Sequence, residues 1–158
     1  MLAEKVLTAA RQRGWRLATA ESCTGGLISA ALTDIPGSSD VFERGFVTYT
    51  NEAKEDLLAV SSKTLSAHGA VSDPVAAEMA AGALKASRAD LAISVTGIAG
   101  PGGSEFKPEG LVCFGLATRD VTRTERVEFG ALGRLKVRAA SVQHALEMIL
   151  SEISRTGS

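Results

Sequence analysis

The stretch "GLVCFGLATRDVTRTERVEFG", residues 110–130, decides what kind of sheet this chain can form. It contains two runs rich in apolar and β-branched residues, 110–118 and 122–130, with Asp120 and Val121 at their junction. A connection this short joins antiparallel neighbours, because parallel strands need a crossover of a dozen or more residues. We therefore expect an antiparallel pair of strands late in the chain.

The preceding residues alternate strand-like and helix-like patterns, which is typical of layered α/β domains. Further strands are predicted at 15–20, 42–50 and 89–97. Helices are predicted at 2–13, from 27, from a cap at Asn51, from a cap at Asp73 followed by Pro74, and from near Gly133. Together these elements predict a three-layer α/β/α sandwich with a mixed five-stranded sheet.

Composition limits the classes of function. A length of 158 residues favours a single domain, residues 1–158, and the formal net charge of −1 provides no general attraction to nucleic acid or anionic membranes. No apolar run approaches the ~18 residues of a membrane span. Cys23 and Cys113 lie far apart and have no metal-ligand spacing. We expect no metal, no cofactor and a reducing, cytoplasmic setting.

Two glycine-rich segments follow predicted strands and are candidate ligand loops. Residues 21–26, "ESCTGG", lie where a strand ends and a helix begins, and the free N–H groups of a helix start favour an anion. Residues 96–104, "TGIAGPGGS", lie where α/β sheets usually bind ligands. The simpler alternatives are a helix cap with packing glycines and a long connection. Cys23 is expected to be a small buried thiol rather than a nucleophile.

Two cations are predicted at helix starts, where the helix dipole disfavours positive charge. For Lys54, burial and the dipole would lower the pKa, as a lysine general base requires. For Arg134, an anion held between the guanidinium and the helix N–H groups would explain the position. The alternatives are an exposed lysine offset by Glu52 or Glu55, and a solvated arginine such as Arg138.

Hydroxyl groups near Lys54 provide candidate nucleophiles and acids. Ser39 either caps a turn or presents a nucleophilic hydroxyl, and Tyr49 either packs in the core or shares a proton network with Lys54. His68 is predicted in a loop and His144 on the polar side of the last helix, so a Ser-His-Asp triad has little support. A Ser-Lys pair fits these residues better.

Four blocks, in this order, are similar to one family: "TAESCTGGLIS", "IPGSSDVFERGFVTYTNEAK", "HGAVS", and "TGIAGPGG" with "KPEG". They resemble the C-terminal domain of the CinA competence/damage-inducible proteins, over residues 15–150. The resemblance implies an anticodon-binding-domain-like fold and, by analogy, a homodimer. It also implies hydrolytic deamidation of nicotinamide mononucleotide to nicotinate mononucleotide and ammonia.

The resemblance also implies which residues form the site. Its active-site positions fall on Ser22, Ser39, Tyr49, Lys54, Thr96 and Arg134. We expect Ser39 as the nucleophile, Lys54 as its base and Tyr49 as a proton donor, with Ser22 as the second choice of nucleophile. The glycine-rich segments add the substrate-binding candidates Thr24, Gly25, Gly26, Gly97 and Gly100.

Two other functions remain open at this point. A non-catalytic nucleotide-binding or protein-interaction module needs the two glycine-rich segments but not Lys54. Another small-amide hydrolase needs the same catalytic groups with a different substrate. Ammonia release from nicotinamide mononucleotide separates these possibilities.

Overall fold

The computed structural model describes residues 1–104 and 106–156. Within these residues the helices are α1 (Leu2–Arg13), α2 (Leu27–Thr33), α3 (Asn51–Leu58), α4 (Ser62–His68), α5 (Asp73–Lys85) and α6 (Arg134–Thr156). The strands are β1 (Leu17–Glu21), β2 (Phe42–Val47), β3 (Leu91–Gly97), β4 (Leu111–Thr118) and β5 (Thr122–Glu128). A 3₁₀ turn, Ser38–Asp40, precedes β2. In the described part of the chain, no helix is long and apolar enough to cross a membrane.

The strands form one mixed sheet in the order β2-β1-β3-β4-β5. Strand β1 runs parallel to both β2 and β3, with Leu17 opposite Phe42 on one side and Leu91 on the other. Strand β4 runs antiparallel to β3 and to β5. The predicted late hairpin and the mixed five-stranded sheet are therefore confirmed.

Helices cover both faces of the sheet, as predicted. Because neighbouring strand residues point to opposite faces, Leu17 and Leu91 join the core under α1, α2 and α6, while Ala18 and Ala92 join a second core. The second core contains Leu58 from α3 and further apolar residues from α4 and α5. The molecule is a three-layer α/β/α sandwich.

Some predicted boundaries are wrong. The cap of α3 is Thr50 rather than Asn51, and the cap of α5 is Ser72 rather than Asp73. Helix α4 was not predicted, because "SKTLSAH" offers only one large apolar residue, and His68 ends that helix instead of lying in a loop. Strand β2 ends at Val47, three residues before its predicted end, because the chain turns there to begin α3.

The parallel strands determine where a ligand site can form. Strands β1, β2 and β3 are parallel neighbours, so their carboxyl ends meet at one edge of the sheet. The segments that follow these ends diverge to α2, to α3 and to β4. Such an edge is the usual ligand-binding position in open α/β sheets.

Candidate active site

A pocket of about 430 Å³ opens at this edge of the sheet. The residues that line it follow β1, follow β2 into α3, belong to the α4–α5 connection, end β3 or form the loop after it, or begin α6. Among the predicted site residues, those lining the pocket are Ser22, Tyr49, Lys54, Thr96, Gly97, Gly100 and Arg134. Ser39, Thr24, Gly25 and Gly26 do not line it.

The inner end of the pocket contains a buried lysine beside a serine. Lys54 is only 1% exposed, and its Nζ lies 3.0 Å from Ser22 Oγ. The same amine donates to the carbonyl oxygens of Thr48, at 3.0 Å, and Tyr49, at 3.4 Å. Because α3 begins directly after the short segment that follows β2, its first turn carries Lys54 back over the end of β1. Burial and three oxygen contacts therefore fix the amine against the Ser22 hydroxyl.

Ser39 does not pair with Lys54, which corrects the expected nucleophile–base pair. Ser39 is exposed on the 3₁₀ turn before β2, whereas Lys54 lies beyond the other end of that strand. A strand of six residues separates its ends by roughly 17 Å. Arg11 binds the same turn from outside, through Asp40 and the carbonyl oxygen of Gly37. Within one chain, the serine beside the lysine is Ser22.

The predicted anion cradle at the start of α2 is already filled by the buried carboxylate of Glu21. One oxygen accepts hydrogen bonds from Thr24 Oγ1 at 2.6 Å and from the N–H groups of Gly26 and Ile28. The other accepts from the N–H and the hydroxyl of Ser29. The sequence interpretation overlooked Glu21, although an acidic residue before a helix start is a recognisable capping signal.

Thr24, Gly25 and Gly26 thus shape a turn around Glu21 instead of facing a ligand. Gly26 has φ +108° and Gly25 φ +57°, a region that favours glycine. The half-buried Arg138 donates to the carbonyl oxygens of Cys23 and Thr24. Arg138 therefore holds this turn, which corrects its interpretation as a solvated side chain.

Cys23 lies in the wall of the pocket but is poorly suited to act as a nucleophile. Its side chain is buried, as predicted, and burial raises the pKa of the thiol to about 11. The thiol therefore stays protonated at neutral pH, and the thiolate is the reactive form. Ser22, the preceding residue, is the better candidate.

The end of β3 and the loop after it form the opposite wall. Thr96 Oγ1 donates to the carbonyl oxygen of Ala70 at 2.9 Å, so its hydroxyl ties the sheet to the α4–α5 connection. Gly97 has no room for a side chain, because a Cβ there would lie 2.7 Å from Val112 Cγ2. The carbonyl oxygen of Gly100 faces α6 and accepts from Arg134.

The mouth of the pocket carries Arg134 and Tyr49. Arg134 is exposed; its Nη1 donates to Gly100 O and its Nη2 to Tyr49 Oη, each at 2.7 Å. The hydroxyl of Tyr49 therefore contacts the guanidinium of Arg134, and the main-chain oxygen of Tyr49 contacts Lys54. This corrects the expected proton network between the phenol and the lysine.

Sequence interpretation missed two residues that hold this mouth together. Glu109 accepts from the N–H groups of Gly102 and Gly133, and Lys107 donates to the carbonyl oxygens of His68 and Val71. Both belong to the "KPEG" block, to which no role was assigned. Within the described residues, no group of three or more His, Cys, Asp or Glu side chains could hold a metal ion.

The comparisons with known proteins indicate the same family. The family model described as the CinA C-terminal domain matches residues 1–153. The chain is 52% identical over 149 residues to the nicotinamide-nucleotide amidohydrolase PncC of Escherichia coli K12, covering 94% of this chain and 90% of that protein. It is 51% identical over 140 residues to a CinA-like protein of Syntrophobacter fumaroxidans, covering 88% of this chain but 33% of that protein.

A solved structure agrees with these relatives. The crystal structure of the competence/damage inducible protein CihA from Agrobacterium tumefaciens superposes with a TM-score of 0.92 at 51% identity. The superposition covers 95% of this chain and 92% of that protein. The chain belongs to the CinA C-terminal domain family.

Proposed function

We propose that this chain, as a single domain over residues 1–158, hydrolyses nicotinamide mononucleotide to nicotinate mononucleotide and ammonia. The observation that carries the proposal is the 3.0 Å contact between Lys54 Nζ and Ser22 Oγ at the inner end of the pocket. It pairs a hydroxyl with a possible base, as in the Ser-Lys variants of nucleophilic catalysis. The substrate comes from the PncC relative, whose name states a nicotinamide-nucleotide amidohydrolase.

The contacts of Lys54 are compatible with a neutral amine. The carbonyl oxygens of Thr48 and Tyr49 can only accept, so they take the two N–H donors that a neutral amine carries. Ser22 Oγ, the third oxygen beside the amine, belongs to a hydroxyl, which can donate as well as accept. Lys54 can therefore act as the base for Ser22.

The reaction runs in two halves. Lys54 takes the proton of Ser22 Oγ, and the oxygen attacks the carboxamide carbon to give a tetrahedral intermediate. Its C–N bond breaks, Lys54 returns the proton to the departing ammonia, and an ester of Ser22 remains. Water, deprotonated by Lys54, attacks the ester carbon, and Ser22 leaves with the proton. The two halves balance with water as the only co-substrate.

Other pocket residues bind and orient the substrate. Arg134, the cation at the mouth, binds the phosphate, because a guanidinium forms strong charge-assisted hydrogen bonds with phosphate oxygens. Tyr49 supports that arginine. Thr96, Gly97 and Gly100 form the wall along which the ribose lies. The N–H of Cys23, next to the nucleophile, holds the oxyanion, as the N–H after the nucleophile does in other hydrolases.

The proposal includes a cytoplasmic homodimer that recycles pyridine nucleotides and binds neither nucleic acid nor membrane. Cys23 and Cys113 are both free and buried, as suits a reducing compartment. Apolar side chains are exposed near the start of α6, where Leu132 is 47% and Leu135 79% exposed, and they could pack against a second copy. Analytical ultracentrifugation measures the oligomeric state.

The direct test is ammonia release from nicotinamide mononucleotide by the purified protein, followed by product identification. We expect turnover with nicotinamide mononucleotide and weaker turnover with the riboside, which lacks the phosphate that Arg134 binds. Binding of the mononucleotide without ammonia release would instead support the non-catalytic nucleotide-binding module. Equal turnover of small amides that lack phosphate would support a different amide hydrolase.

A further inference from the structure

The turn formed by residues 107–110, "KPEG", contacts three segments around the pocket without belonging to the proposed chemistry. Lys107 Nζ donates to the carbonyl oxygens of His68, at 2.8 Å, and Val71, which connects the turn to the α4–α5 wall. Gly110 N donates to Ile98 O at 2.8 Å, which connects the turn to the loop after β3. The third segment is the start of α6, and Glu109 makes that contact.

Glu109 joins two segments through one carboxylate. Its Oε1 accepts from the N–H of Gly102 at 2.7 Å, and its Oε2 accepts from the N–H of Gly133 at 3.0 Å. The loop packs closely on this side chain, since a Cβ at Gly100 would lie 2.5 Å from Glu109 Cδ. The distance between the loop and the start of α6 therefore depends on the carboxylate.

The same two segments determine where Arg134 lies. Arg134 directly follows Gly133, and its Nη1 donates to Gly100 O at 2.7 Å. The backbone of Arg134 thus follows one residue that Glu109 binds, and its side-chain anchor Gly100 lies two residues before the other, Gly102. We propose that Glu109 is a positioning residue that sets the substrate-binding geometry of Arg134.

Charge and hydrogen bonding explain why a carboxylate suits this position. The N-terminus of α6 favours negative charge, and Glu109 supplies it there. The Glu109 carboxylate thus compensates the positive end of the α6 dipole, and Arg134 faces the substrate beside it. An amide of the same size would point an NH₂ donor at one of the two N–H groups, so one contact would become donor against donor.

The test is Glu109→Gln, and the inference rests on the proposed function because it needs a bound mononucleotide. We expect KM for nicotinamide mononucleotide to rise about tenfold, the effect of losing one charged hydrogen bond, with kcat within about threefold. Glu147→Gln is the matched control, since Glu147 is an exposed residue of α6 whose bond goes to Gln143. We expect its KM to be unchanged. An unchanged KM in Glu109→Gln would overturn the inference.

A double-mutant comparison separates positioning from general destabilisation. If Glu109 acts through Arg134, adding Glu109→Gln to Arg134→Ala changes KM by less than about twofold, because the interaction is already lost. Independent, multiplied effects would overturn the inference. Glu109→Asp keeps the charge but is too short to keep both bonds, so an intermediate KM is expected if Glu109→Gln does not fold.

Failure of the proposed function and failure of the Glu109 inference are measured on different proteins. It appears in the wild-type protein, as absence of ammonia release, whereas failure of this inference appears only as a lack of difference between Glu109→Gln and Glu147→Gln. If the wild type binds nicotinamide mononucleotide without turnover, the dissociation constant replaces KM in both comparisons. The same roughly tenfold weakening is then expected for Glu109→Gln.

Discussion

At the inner end of the pocket Lys54 is 1% exposed, whereas at the mouth Tyr49 is 56% exposed and Arg134 also faces solvent. The inner amine is held by main-chain carbonyl oxygens and Ser22, all of which are present without a ligand. Within the described residues, the guanidinium of Arg134 uses two of its five N–H donors, for Gly100 and Tyr49. In the proposed reaction, bond breaking therefore takes place at the inner end and substrate capture at the mouth. Variants at the two ends should therefore affect different kinetic constants.

The largest effect is expected at Lys54. Lys54→Ala removes the proposed base, and Lys54→Arg replaces it with a guanidinium that stays protonated in proteins. We expect both to lower kcat by at least ~10²–10⁴-fold, the usual contribution of a general base. Steady-state ammonia release gives kcat, with circular dichroism and ligand titration as controls for fold and binding. If Lys54→Arg keeps more than roughly a tenth of wild-type kcat, Lys54 is not the base.

A smaller effect, on a different constant, is expected at Arg134. Arg134→Ala removes a charged hydrogen-bond donor at the mouth, so KM should rise by about tenfold to a hundredfold with kcat nearly unchanged. The riboside, which has no phosphate, should lose much less. A collapse of kcat with unchanged KM would move Arg134 from binding to chemistry and remove the distinction between the two ends.

Tyr49→Phe should have a still smaller effect. It removes the hydroxyl that accepts from Arg134 Nη2 but keeps the ring and the main-chain oxygen that contacts Lys54. Loss of one such hydrogen bond predicts a rise in KM of about twofold to tenfold and a kcat within about twofold. A fall in kcat beyond about a hundredfold would instead identify the phenol as a proton donor.

The smallest effect is expected at Cys23, beside the proposed nucleophile. Its pKa of about 11 lies above the ordinary 9.0, so the thiol is protonated throughout the neutral range and ionises only as the pH rises toward 11. Iodoacetamide at pH 7.5 should therefore leave activity intact, because alkylation requires the thiolate. Inactivation that the substrate prevents, with labelling of Cys23 in a peptide digest, would make the thiol the nucleophile.

The sheet could be predicted because its signals are local. Strand β3 is a continuous apolar run, and the short junction near Asp120 requires β4 and β5 to be antiparallel. The identity of two cap residues could not be predicted, because Thr50 and Asn51 are adjacent and both types cap helices, and the same holds for Ser72 and Asp73. Only packing against the rest of the fold decides which residue of each pair lies at the cap.

The site was harder to predict because its contacts are not local. The order of residues along the chain gives no distance between Ser39 and Lys54, and only the position of β2 shows that they lie beyond opposite ends of one strand. Glycine-rich helix starts also look alike in sequence, whether the anion comes from a ligand or from the protein. At α2 it comes from Glu21, which accepts from groups three to eight residues away.

The most direct test of the reaction centre compares two serines that each lose one hydroxyl, Ser22→Ala and Ser39→Ala. Because Ser22 lies 3.0 Å from Lys54 and Ser39 lies beyond the far end of β2, we expect very different kcat values for ammonia release from nicotinamide mononucleotide. Ser22→Ala should lower kcat by at least about 10²-fold, and Ser39→Ala should stay within about twofold of the wild type. The reverse result, with activity kept in Ser22→Ala and lost in Ser39→Ala, would contradict the Ser22–Lys54 centre and require Ser39 from a second copy of the chain.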